Sequence, residues 1–194
     1  MLAIISLIQK CQDLNIKLTM YPIFTEALVS RGRNAAVAHF MGSSATHMFF
    51  IDSDMVFNPA DVVKLLNSSK SVIAGVYPKK FLKTQNNALQ VEFNASGQVG
   101  LEGDVCLVDY VPSGFLCIRR DAIEKLIEKN PDLKYKNSIE GYHSNESMEY
   151  YYDFFKPGVD SATKQYMGED FGFCNLLKLA EVPMYVYPNI TLAH

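Results

Sequence analysis

The sequence predicts an α/β protein, with a mostly parallel sheet flanked by helices and a smaller mixed or antiparallel part after it. Three observations predict this. Helical and strand patterns alternate through the first 76 residues, as they do in βαβ units. Two of the strand patterns, His47–Ile51 and residues 71–76, are short unbroken apolar runs, the mark of strands covered on both faces. The 194 residues suffice for one domain that buries about 70% of the surface its unfolded chain exposes.

Residues 2–14 carry Ile4, Ile5, Leu7, Ile8 and Cys11 as an apolar stripe at helical spacing. Residues 17–23 alternate and predict a strand. Ser30 serves as the cap of a helix running to Met41, whose buried side is Ala35, Ala36, Val37, Ala38 and Phe40. His47–Ile51 follows as a central strand. Asn58-Pro59 opens the next helix, since proline in a first turn lacks only an N–H that has no helical partner there. Residues 71–76 form the next strand.

The pattern changes after Tyr77. Residues 89–93 and 105–111 read as strands around turns at Ser96-Gly97 and Glu102-Gly103, and residues 114–118 as a further strand. Asp121 caps a helix to Glu128. Residues 130–166 are polar, aromatic and weakly periodic, which predicts a long excursion or lid. Residues 169–180 return to a helix and Met184–Tyr187 to a last strand. A doubly wound nucleotide-binding sheet ordinarily begins with a strand, whereas this chain opens on a helix. A first strand beside His47–Ile51 is therefore expected to be missing, and residues 1–23 completing the sheet edge would refute that.

The formal net charge is −3, and no basic run is longer than Lys79-Lys80 or Arg119-Arg120. Nucleic acid is disfavoured as the main partner, because neutralising phosphates needs a clustered basic face. Cys11, Cys106, Cys117 and Cys174 form no CxxC pair and sit in apolar runs, so buried free thiols are expected rather than disulfides or zinc. No run is long enough to cross a bilayer. The opening stretch lacks a basic region and a small-residue cleavage site, which makes it a poor signal peptide. Without such a signal, the sequons at Asn67, Asn94, Asn145 and Asn189 read as chance.

The chemistry centres on Asp52-Ser53-Asp54, two carboxylates just past the C-terminal end of a buried strand. Open α/β sheets bind ligands at that end. Two aspartates one residue apart can converge on one hard divalent cation, and Mg²⁺ or Mn²⁺ keeps positions open for diphosphate oxygens. Exposed turn aspartates are the bland alternative. The apolar strand before the pair and Met55-Val56-Phe57 after it favour the metal.

Phe50-Ile51-Asp52-Ser53-Asp54 resembles the DxD signature of glycosyltransferases of the GT-A (Rossmann-like) fold. Further segments match in the order that family requires. Leu28-Val29-Ser30-Arg31-Gly32-Arg33-Asn34 resembles the Arg-Asn helix start before the DxD strand. Ala74-Gly75-Val76-Tyr77-Pro78-Lys79-Lys80 resembles a segment of small viral and phage members. Pro112-Ser113-Gly114-Phe115 with Ile118-Arg119-Arg120 resembles the acceptor-side strand, and Gly168-Glu169-Asp170-Phe171 the Glu-Asp motif of the late helix. His194 resembles the late metal-site histidine. The likeness runs from Leu28 to His194 and is strongest to the small glycosyltransferase domains of large algal viruses. Two departures are the absent first strand and a chain that stops at His194, where the family continues with a Gly-containing tail.

The resemblance implies a single glycosyltransferase domain over residues 1–194, with 1–110 the nucleotide-binding half and 111–194 the acceptor-side half. It implies Mn²⁺ or Mg²⁺ held by Asp52, Asp54 and His194, with a UDP-sugar as donor. Arg31, Arg33 and Asn34, together with Asp52 and Ser53, would bind that donor. Helix starts attract anions through free N–H groups, with Arg33 the first candidate, and the alternative is an arginine that pairs structurally with Asp52 or Glu26. Lys79 and Lys80 would stabilise the diphosphate, or else be solvated surface lysines. Ser113 and Gly114 would let the backbone approach the donor sugar, or form an ordinary turn.

Asp170, with Glu169 next, is the expected general base, although carboxylates suit any helix start. Tyr150, Tyr151, Tyr152, Phe154 and Phe155 offer an acceptor platform, with core packing the expected role of at least half of them. The implied partners are a nucleotide sugar and a glycan or glycoprotein acceptor, in the cytoplasm (the host's, for a viral chain). The rival readings are an inactive nucleotide- or carbohydrate-binding module and a nucleotidyltransferase. The latter ordinarily needs an early Gly-rich, basic phosphate loop, which this sequence lacks.

Overall fold

The computed structural model describes residues 2–24, 26–78, 83–85, 88–90, 93–138, 144–161, 163–190 and 192–193, with backbone alone at 83–85 and 88–90. The chain divides into two compact units. One comprises Met1–Met20, Phe49–Cys117 and Met184–His194; the other comprises Tyr21–Met48 and Ile118–Pro183. Among the described residues, no helix is long and apolar enough to cross a membrane.

The first unit begins with α1 (Leu2–Asp13), which buries Leu7 and Cys11 with Ala3 and Ile4 beside them, a single stripe at helical spacing. The helix stops at Asn15, whose φ of 54° lets Ile16 N–H reach back to the Cys11 carbonyl at 2.8 Å. Helix α3 (Pro59–Leu66) starts as its sequence dictates, with Asn58 Oδ1 accepting from Ala60 N–H at 2.9 Å. Val62 and Leu65 of α3 join Leu7 and Cys11 in a core that includes Ile73, Phe115, Tyr185, Ile190 and Leu192. Each large apolar side chain buried there contributes about 1.5–3 kcal/mol before entropy is counted.

Six strands form the main sheet: β1 (His47–Ile51), β2 (Val72–Gly75), β5 (Ser96–Glu102), β6 (Val105–Tyr110), β7 (Phe115–Arg119) and β10 (Met184–Tyr187). Their order is β1-β7-β2-β10-β6-β5, with β1 at an edge. The division between units falls inside β1, after Met48, and inside β7, after Cys117. A separate two-stranded ladder joins β3 (Lys83–Gln85) to β4 (Ala88–Gln90).

The sheet corrects the expectation of a mostly parallel, Rossmann-like arrangement. β10 runs parallel to β2, with Tyr185 opposite Ile73, but antiparallel to β6, with Tyr185 opposite Leu107. β5 and β6 form an antiparallel hairpin around Gly103, whose φ of +61° makes the turn. Ser96-Gly97, expected as a turn, lies within β5. Alternation of helix and strand identified the segments, but a hairpin and a late inserted strand reversed the direction of pairing. Residues 17–23 form no strand, and Leu18, Met20, Tyr21 and Phe24 are exposed.

The second unit holds α2 (Val29–Gly42), α4 (Arg120–Lys129), α5 (Glu169–Leu179), single 3₁₀ turns at Pro131–Leu133 and Met148–Tyr150, and the hairpin of β8 (Gly158–Val159) with β9 (Tyr166–Met167). The interval 130–166 thus carries short elements of its own. Ala35 and Ala38 of α2 pack against Tyr151, with Tyr135 and Tyr150 alongside, and Phe155 stacks on Phe173 at 4.3 Å. α4 begins at Arg120, one residue before the expected cap, and Asp121 Oδ1 accepts from Ala122 N–H at 3.0 Å.

Arg120 closes the end of α2. Its guanidinium donates to the carbonyls of Phe40 (2.8 Å), Met41 (3.2 Å), Ser43 (2.7 Å) and Ala45 (2.9 Å), and it lies over the Phe40 ring. The last carbonyls of a helix have no helical donor and carry its negative end, so a planar cation suits them. Arg120→Ala is expected to lower stability by about 2 kcal/mol in urea unfolding, with Arg120→Lys recovering less than half. A lysine that recovered everything would show that charge, rather than the fork of donors, closes the helix.

Candidate metal centre

Asp52, Ser53 and Asp54 form an exposed turn at the end of β1. The turn is held from both sides. Asp52 N–H donates to the Gly114 carbonyl at 2.9 Å, and Met55 N–H to the Asp52 carbonyl at 3.0 Å. Met55 and Phe57 then anchor the chain in the core, while Val56 between them is exposed. This alternation fixes the turn's direction: apolar anchors lie on both sides of two solvent-facing carboxylates. Val56 and Ala193 exchange both backbone hydrogen bonds, at 2.7 and 3.2 Å.

The donor set suits a hard divalent cation: two carboxylates of a turn with a hydroxyl between them, all oxygen. Asp52 and Asp54 would hold the ion. Among the described residues, no group of three or more His, Cys, Asp or Glu gathers into a metal cage. His194 lies outside the described residues, as do Lys79 and Lys80.

Gly114 sits at the mouth of β7, behind the buried Ser113. A Cβ at position 114 would overlap the hydroxyl of Tyr77 and lie 2.9 Å from Asp52 Oδ2. Two of the protein's own side chains thus approach this glycine closely. Within the first unit, the structure brings together Asp52, Gly114 and Tyr77. Tyr77 follows the end of β2 by two residues.

The second unit holds Arg31, Arg33, Asn34, Glu169 and Asp170. Arg33 is 8% exposed, with its Nε 3.8 Å from Glu169 Oε1 and its guanidinium over the Phe155 ring. The helix start and the late carboxylate motif therefore meet inside this unit. Asn34 uses both ends of its amide structurally. Its Nδ2 donates to Asp153 at 3.0 Å and its Oδ1 accepts from Phe155 N–H at 3.0 Å. Glu169 and Asp170 occupy the first turn of α5 after Gly168, which gives no side-chain cap.

Arg31 pairs with Glu26 through two bonds of 2.7 Å, and Leu28 N–H donates to the same carboxylate at 2.8 Å. The Glu26 side chain is only 4% exposed, and the Arg31 guanidinium beside it holds its carboxyl below the ordinary value of 4.5. A carboxyl whose folded pKa is depressed stabilises the fold above its unfolded pKa and loses that contribution as the pH falls through the folded one. Glu26→Gln is therefore expected to cost about 1 kcal/mol at pH 7, because solvent screens the exposed Arg31 side. The gap in melting temperature between wild type and variant should close on acidification from pH 7 to pH 3. A gap independent of pH would assign the effect to packing.

Of the aromatic cluster, Tyr151, Tyr152, Phe154 and Phe155 are buried and serve the core. The four cysteines are buried free thiols, and burial pushes the Cys117 thiol up to about 12, so it stays protonated at neutral pH.

No family model and no curated protein matches the sequence. Among solved structures, the chain is similar to the crystal structure of A197 from STIV, with a TM-score of 0.50 and 17% identity over 97% of this chain and 78% of that one. At that identity the likeness speaks for the fold, which the two proteins share along nearly the whole of this chain.

Proposed function

We propose that the chain is a metal-dependent glycosyltransferase that moves a sugar from a nucleoside diphosphate, UDP in the first instance, to a hydroxyl of a glycan or glycoprotein. The observation that carries this reading is the exposed Asp52-Ser53-Asp54 turn, pinned to Gly114 and anchored by Met55 and Phe57. A bound Mn²⁺ or Mg²⁺ supplies neutralising charge for the diphosphate leaving group. In the second unit, Arg33, with its Nε 3.8 Å from Glu169 Oε1, is the candidate for binding the nucleotide. Asp170, with Glu169 next, takes the proton of the acceptor hydroxyl. The acceptor oxygen then bonds the anomeric carbon as the bond to the diphosphate breaks.

A thermal-shift screen of nucleotide sugars, with and without Mn²⁺, paired with assay of nucleoside diphosphate release, tests this. A UDP-sugar with Mn²⁺ should raise the melting temperature and be consumed, since a ligand at a hundred times its Kd stabilises by about 2.7 kcal/mol. Absence of any Mn²⁺-dependent shift across the donors would overturn the reading. Binding without turnover would replace it with a nucleotide- or sugar-binding module.

A further inference from the structure

We propose that Tyr77 is a positioning residue for Asp52, its buried phenol donating a hydrogen bond to the Asp52 carboxylate across the backbone of Gly114. The consequence for metal binding rests on the functional reading above; the placement of the two side chains does not.

The geometry points to this through the one position where β7's approach carries no side chain. A Cβ at Gly114 would overlap Tyr77 Oη, lie 3.0 Å from Tyr77 Cζ and lie 2.9 Å from Asp52 Oδ2. A single point thus falls within reach of both oxygens, and they share the space that any other residue at 114 would fill. The backbones behind them are fixed as well. Asp52 N–H is bonded to the Gly114 carbonyl at 2.9 Å, and Asn94 N–H to the Tyr77 carbonyl at 3.1 Å.

The chemistry of the two groups complements that placement. An ionised carboxylate only accepts hydrogen bonds, and a phenol has one hydrogen to give. Asp52 lies in an exposed turn, where a carboxylate on a rotatable stem samples several rotamers. The Tyr77 ring is 7% exposed and packs in the core with Phe115 and Ile190, so its hydroxyl is presented from a rigid support. Such a partner selects one orientation of the carboxylate before any ion arrives, as the groups behind metal ligands do.

Tyr77→Phe keeps the ring and removes only the donor. Two measurements on ligand-free protein test the proposal. In urea unfolding without metal, Asp52→Ala should change the unfolding equilibrium constant differently in the wild-type and Tyr77→Phe backgrounds, by at least about threefold, as coupled neighbours do. Calorimetric titration with Mn²⁺ should show about tenfold weaker binding to Tyr77→Phe, with its unfolding midpoint close to that of wild type. Additive unfolding effects would overturn the proposal, as would unchanged Mn²⁺ affinity in the variant. If the wild type bound no Mn²⁺ while the coupling was present, the positioning contact would be upheld and the metal-dependent function would fall.

Discussion

Under the proposed function, Asp54→Ala is expected to lower Mn²⁺-dependent turnover of a UDP-sugar by about a thousandfold. An ion that neutralises a departing diphosphate supplies several kcal/mol of transition-state stabilisation, and about 4 kcal/mol corresponds to that factor. The fold should barely respond. Asp54 is exposed in its turn, and the turn is held by the backbone of Asp52 and by the buried Met55 and Phe57. Substitutions at exposed positions away from caps and cores ordinarily stay within about 0.5 kcal/mol, so the melting temperature should move by no more than about 2 °C. The decisive comparison is steady-state turnover against Mn²⁺ concentration for wild type and variant. Turnover that survives the substitution at saturating Mn²⁺ would remove Asp54 from the metal centre.

The second large effect falls on stability. In a helix interior, replacing glycine by alanine ordinarily stabilises by about 1 kcal/mol. At Gly172 in α5 the sign should reverse. A Cβ there would overlap the carbonyl oxygen of Lys156 and lie 3.2 Å from its carbon. Backbone cannot rotate out of the way as the end of a flexible side chain can. The segment after Phe155 and the helix would have to separate, in a region where Phe155 stacks on the fully buried Phe173. Gly172→Ala is expected to cost about 3 kcal/mol, a fall of roughly 10 °C in melting temperature for a chain of this size. Gly158, with open space around its Cβ position, provides the control. Scanning calorimetry that found Gly172→Ala as stable as Gly158→Ala would show that the helix and the 156 segment can part at little cost.

What the sequence disclosed was local. The apolar stripe of Leu7 and Cys11, the Asn58-Pro59 start and the unbroken run of β1 each follow from neighbours a few residues away. They located the α-helices among the described residues and most strands of the main sheet to within a residue or two. The same kind of signal placed Asp52 and Asp54 just beyond a strand, because an apolar run followed by an acidic turn is a local pattern. Burial of the aromatics at Tyr151, Tyr152, Phe154 and Phe155 was legible only in part: core packing was expected for at least half of the cluster, with the members unspecified. A tyrosine or phenylalanine cluster has the same composition whether it faces a core or a sugar, and only the packing of Phe155 on Phe173 decides.

Strand direction was decided by contacts that no local pattern records. β10 arrives from the far end of the chain and takes its place between β2 and β6, parallel to one and antiparallel to the other. Its sequence, Met184–Tyr187, is equally compatible with either. Residues 17–23 alternate as a strand does but found no partner, and hydrogen bonds from a neighbouring strand are what make an extended segment a strand. The meeting of Tyr77, Asp52 and Gly114 is tertiary for the same reason. Residues far apart in sequence come together there because β1, β7 and β2 are neighbours in the sheet, and the absence of a Cβ at Gly114 leaves room for the other two side chains.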